Sequence, residues 1–123
     1  MKRILLAGLL AGMLIPASAP AQKRAATVIG EVVDVVSWMT SGSRPDTPQG
    51  REILENSRRL GNPLGILEEG TGRLYIATMK QSATGAGETL LPWIGIRIAA
   101  KGDVFEKGGT RVLAIQVVGK SIR

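Results

Sequence analysis

Two glycine-centred breaks, each between runs of strand-forming residues, constrain this chain more than any other feature. Gly70-Thr71-Gly72 separates Leu64–Glu69 from Arg73–Met79. Lys107-Gly108-Gly109 separates Gly102–Glu106 from Thr110–Val118. Glycine reaches the positive φ that tight turns demand, so both stretches are predicted as hairpins. Thr27 to Met39, rich in Val, Ile and Trp, predicts a further, long strand. Both of its faces carry apolar residues, as in a strand that curls across a barrel, and Gly30 is the natural place for a bend or bulge. From Ile94, the residues Ile94, Ile96, Ile98 and Ala100 point one way and Gly95, Arg97, Ala99 and Lys101 the other.

One helix is predicted, over about residues 48–60. Thr47 can accept the first free N–H groups, and Pro48 sits where its missing N–H does no harm. Ile53, Leu54, Ser57 and Leu60 share a stripe, Gly61 suits the turn that ends a helix, and Pro63 prevents continuation. Lys80–Glu88 reads as a polar, glycine-rich loop, and Thr89–Trp93 as one turn leading into the next strand. These elements predict a mainly β fold: a small five- to six-stranded barrel of the OB type, partly open, with one short helix after the long first strand. A small β-sandwich or an α+β roll is the alternative.

The first 21 residues predict destination rather than fold. Met1-Lys2-Arg3 is basic, Ile4 to Ile15 carries no charge, Pro16 breaks the run, and Ala19-Pro20-Ala21 offers a small-x-small site. That is the pattern of a secretory signal peptide cut after Ala21. A cut after Ala19 would place Pro20 just past the scissile bond. The apolar run is far shorter than the roughly 20 residues that span a bilayer, so no transmembrane anchor is expected after cleavage. The expected organisation is a signal peptide at 1–21, a flexible lead at 22–26 and one domain at 27–123. The expected location is periplasmic or secreted.

Beyond the signal, 14 basic and 10 acidic residues leave a mild net charge of +4. The basic residues are scattered rather than gathered in a stripe, which disfavours nucleic acid as a partner. Weak binding to a polyanion, nucleic acid or polysaccharide, and attraction to an anionic envelope surface stay open. The chain has no cysteine and no histidine. No disulfide can support the fold, so burial and backbone pairing must do all the stabilising. The usual ligands of zinc, copper and haem are missing, and no metal or other cofactor is expected.

Four pieces carry a resemblance: Gly30-Glu31-Val32-Val33-Asp34, Gly61-Asn62-Pro63-Leu64-Gly65-Ile66-Leu67, Gly72-Arg73-Leu74-Tyr75, and Gly102-Asp103-Val104-Phe105-Glu106-Lys107-Gly108-Gly109. Together they resemble a group of small exported bacterial OB-fold-like proteins of unassigned function, over roughly Thr27 to Ile122. The resemblance implies fold and export. Members of that group often carry cysteines where this chain has Trp38, Ile53 and Ser57, so no thiol or metal role carries over.

Candidate chemistry is sparse. A nucleophile–base pair needs a histidine or a cysteine, and a Ser–Lys pair, for example Ser82 with Lys80, is a conceivable substitute. Paired carboxylates could hydrolyse glycosides, with Glu31, Glu68, Glu69 and Glu88 as candidates. In a strand, the adjacent Glu68 and Glu69 would face opposite ways. Gly85-x-Gly87 lacks the strand–helix setting of a dinucleotide site. The expected function is therefore a non-enzymatic binding or structural module of the envelope, with an unknown protein or saccharide partner. The residues expected at its ligand face are Trp38, Arg73, Tyr75 and Lys80, with Gln81, Ser82 and Thr84 of the neighbouring loop as further donors. A hydrolase built on carboxylates or on Ser82–Lys80 is the alternative.

Overall fold

The computed structural model describes residues 20–81 and 85–122. The expected signal segment up to residue 19 and the loop residues Ser82 and Thr84 lie outside the described residues. The elements in order are β1 (Gln22–Asp34), α1 (Val35–Ser41), α2 (Pro48–Arg59), β2 (Leu64–Glu68), β3 (Leu74–Met79), α3 (Gly87–Leu90), β4 (Ile98–Lys107) and β5 (Thr110–Lys120). A single 3₁₀ turn, Leu91–Trp93, joins α3 to the approach to β4.

The five strands close into a barrel in the order β1-β2-β3-β5-β4, with β1 returning to β4. It is an OB-like barrel, and it closes where a partly open one was expected. Every neighbouring pair is antiparallel except β3 and β5, whose parallel pairing seals the wall. Alternate residues of each strand point inward. Val28, Val32, Ile66, Tyr75, Ala77, Ile98, Ala100, Val104, Leu113 and Ile115 fill the interior, and Leu54, Leu90 and Ile94 close over it.

β1 does two jobs. Its first part pairs with β4, from Gln22↔Glu106 to Gly30↔Ile98, and its last part pairs with β2, from Gly30↔Glu68 to Asp34↔Leu64. Gly30 is the residue at the handover, and a Cβ there would run into the Leu67 carbonyl oxygen. The bend expected at Gly30 thus rests on close backbone approach. Gly102 plays the same part at the register shift of β4 against β5, where a Cβ would strike the carbonyl oxygen of Ala114.

The structure corrects three expectations about local structure. Residues 22–26, expected as a flexible lead, form the start of β1, because β4 offers them a full ladder of partners. The strand expected to run to Met39 stops at Asp34. The Asp34 side chain accepts a hydrogen bond from the Ser37 N–H at 2.7 Å and caps α1. Gly42, at φ 70°, ends the helix by donating its N–H back to Ser37 and Trp38 carbonyls. Capping overrides the strand preference of Val35 and Val36. The strand expected from Ile94 begins only at Ile98, since the 3₁₀ turn occupies Leu91–Trp93 and Gly95 takes φ 82°.

The helix expected at 48–60 is α2, capped by Thr47, whose hydroxyl accepts from the Gly50 N–H. It is one of three short helices among the described residues, where a single helix was expected. Asp34→Ala should cost about 1 kcal/mol, read as a lower melting temperature with the barrel intact.

Candidate binding groove

A groove of about 660 Å³ lies beside the point where β1 exchanges β4 for β2. The β2–β3 turn, the Gly95–Arg97 segment, Trp38 of α1 and Arg44 surround it.

Each part has a local cause. Glu31 and Leu67 occupy the same outward row, because they pair across β1 and β2. The turn after β2 holds its shape through Gly70 (φ 89°) and Gly72 (φ 71°) and through the Thr71 hydroxyl, which donates to Glu68. The Glu69 N–H donates to the Ile29 carbonyl at 2.8 Å and ties the turn to β1. The capped helix α1 sets the half-buried Trp38 ring over this floor.

Two guanidinium–carboxylate pairs frame the groove. Arg44, just past α1, pairs with Glu31 through Nε. The chain there is fixed by the fully buried Pro45 and by the close approach of Gly50 to the Arg44 carbonyl. On the other side, Arg97 reaches Glu69 Oε2 from Nε at 2.7 Å and from Nη2 at 2.6 Å. Its Nη1 donates to the Ser121 hydroxyl at 2.7 Å, and its carbonyl accepts from the Ser121 N–H. Such charge-assisted bonds hold a side chain in one geometry. Three glutamates and two arginines leave the groove close to neutral.

The residues expected at the ligand face do not come together. Trp38 lines the groove. Tyr75 does not, since it is 1% exposed and packs inside the barrel. The alternation of β3 turns Tyr75 and Ala77 inward, which corrects its placement on a ligand face. Arg73 is exposed beside the turn, where its carbonyl accepts from the Glu68 N–H, but it does not line the groove. Lys80 lies past the far end of β3, roughly 20 Å from Arg73 along the strand, and pairs with Asp103 at 3.2 Å.

The carboxylates are also arranged differently from expectation. Glu31, Glu68 and Glu69 all line the groove, while Glu88 sits elsewhere and pairs with Arg58 at 2.9 Å. Strand alternation does not separate Glu68 from Glu69, because β2 ends at Glu68 and Glu69 belongs to the turn. Among the described residues, no group of three or more acidic side chains could hold a metal ion. Lys80 is engaged with Asp103, and Ser82 lies outside the described residues. Arg44, Thr71 and Arg97 escape sequence reasoning, since their partners stand 13, 3 and 28 residues away and only the fold joins the distant ones.

No family model, no curated protein and no solved structure matches this chain. No helix among the described residues is long and apolar enough to cross a membrane.

Proposed function

We propose that this chain is an exported, non-catalytic OB-like binding module of the bacterial envelope, and that its ligand lies in the Trp38 groove. The observation that carries this reading is a half-buried indole set between two fixed guanidinium–carboxylate pairs. The ring offers a flat apolar face, and the paired groups keep lone pairs and N–H bonds for hydroxyls. Near-neutral charge suits an uncharged, hydroxyl-rich ligand, so an oligosaccharide fits better than a strongly charged polymer.

Export rests on residues 1–21. It is consistent with that reading that β1 starts at Gln22, so a cut after Ala21 removes no part of the barrel. Amino-terminal sequencing of the protein recovered from the cell envelope should read from Gln22. Recovery of the uncut chain in the cytosol would remove export from the proposal.

Calorimetric titration with chito-oligosaccharides and with malto-oligosaccharides tests the ligand. Trp38→Ala should weaken binding about tenfold, the scale of one lost stacking contact, and should leave the melting temperature nearly unchanged. Unaltered affinity, or no binding of either sugar series, would defeat the saccharide reading.

The convergence of Glu31, Glu68 and Glu69 favours a second reading, glycoside hydrolysis. Against it, each carboxylate already has a partner, in Arg44, Thr71 and Arg97 respectively. Release of shorter sugars on prolonged incubation would establish the hydrolase and displace the non-catalytic proposal.

A further inference from the structure

The wall formed by β1, β4, β5 and β3 carries a second surface, separate from the groove. Its outward residues follow from the strand registers. One row across the wall is Lys23, Phe105, Val112 and Ile76. The next is Ala25, Asp103, Ala114 and Thr78, and a third is Thr27, Lys101 and Val117. Lys107 stands two residues beyond Phe105, and Lys80 two beyond Thr78, on the same side. The 3.2 Å contact between Lys80 and Asp103 confirms that side.

The charge on this wall is one-sided. Of the five lysines beyond residue 22, four lie here: Lys23, Lys80, Lys101 and Lys107. The one acid among these outward positions is Asp103. Its side chain is only 12% exposed, beneath Lys23 and Lys80. Lys101 and Lys107 have no carboxylate partner among the described residues. Arg24 and Arg111 belong to β1 and β5 but alternate with the outward rows and share Glu106; other arginines pair with Glu31, Glu69 and Glu88 away from this wall. Four lysines against Asp103 leave this wall three of the four net positive charges that the chain carries beyond residue 21.

Between the lysines the surface is apolar. Val117 is 55% exposed, Ile29 is partly exposed farther along β1, and Phe105 and Val112 are half-buried. Ammonium groups around aliphatic and aromatic side chains form the chemistry that settles on an anionic bilayer. The charges meet phosphates while the apolar groups enter the interface. A purely electrostatic polyanion site would not need Val117 or Phe105, and a second copy of this chain would bring a like charge.

We propose that the outer β1-β4-β5-β3 wall docks on an anionic lipid surface and leaves the Trp38 groove, on another part of the barrel, free for its own ligand. The proposal does not depend on what that groove binds.

Flotation of the full chain with vesicles tests it, one set of phosphatidylglycerol and phosphatidylcholine in equal parts and one of phosphatidylcholine alone. Residues 1–19 are common to all variants, so comparison between variants isolates the wall. Lys101→Glu should lower the ratio of anionic to neutral vesicle binding roughly fivefold or more. Arg59→Glu, the same change of charge on exposed α2, should leave the ratio within twofold. Val117→Ser should weaken binding to anionic vesicles several-fold without changing its dependence on salt. Equal ratios for wild type, Lys101→Glu and Arg59→Glu would overturn the proposal. So would retention on immobilised heparin that matches vesicle binding and ignores Val117→Ser, since that outcome assigns the wall to polyanions.

Discussion

Replacing Gly30 by alanine is expected to destabilise the barrel by about 3 kcal/mol, near the top of the range for overpacked sites. The added methyl group would point at the Leu67 carbonyl oxygen, a backbone atom that cannot rotate away. Relief would require β1 and β2 to separate where β1 also binds β4 through Ile98. A loss of this size is a large share of the 5–15 kcal/mol that holds a typical domain together. Gly119→Ala is the control, because a Cβ there meets nothing within 4 Å and the backbone needs no positive φ. It should be neutral or slightly stabilising, through a less flexible unfolded chain. Urea titrations of both variants read the difference, and equal midpoints would show that the close approach at Gly30 is not what shapes β1.

The second large effect is expected at Tyr75. Tyr75→Ala should cost about 3–5 kcal/mol, because it empties an aromatic site in the middle of the barrel. Its ring lies among the side chains that line the interior, beside the paired Ile66. The same substitution separates the two roles open to this residue. A ligand-face tyrosine would lose affinity and keep stability, whereas a core tyrosine loses stability first. Thermal melts and oligosaccharide titration of the variant, run together, decide between them.

The strands and their turns are legible in the sequence because short-range chemistry fixes them. Both hairpins turn where glycines permit positive φ, and α2 sits between Thr47 and Pro63 as its cap and breaker require. Long-range choices are less visible. Residues 22–26, Gln-Lys-Arg-Ala-Ala, lack strand-forming side chains, and the ladder with β4 makes them a strand. Val35 and Val36 favour extended backbone, yet Asp34 and Gly42 fence them into a helix. A cap at one end and a left-handed glycine at the other were the available signal.

The groove was harder still to read. Trp38 stands out in the sequence because its indole enters a polar stretch, but the pairs that frame it join Glu31 to Arg44 and Glu69 to Arg97 across the fold. The side that Tyr75 faces is ambiguous in the sequence because Leu74 and Ile76 on either side are equally apolar. Without a polar neighbour, alternation cannot say which side faces water.

The position of β5 bears on how the molecule assembles. The strand made last is wedged between β4 and β3, and its parallel contact with β3 is the final seam of the wall. A growing polypeptide that has reached only Gly109 presents two bare strand margins, the kind that recruit other chains. Closure of this ring is therefore a late event that waits for the tail, and shortening the tail should yield sticky, open sheets rather than a smaller barrel.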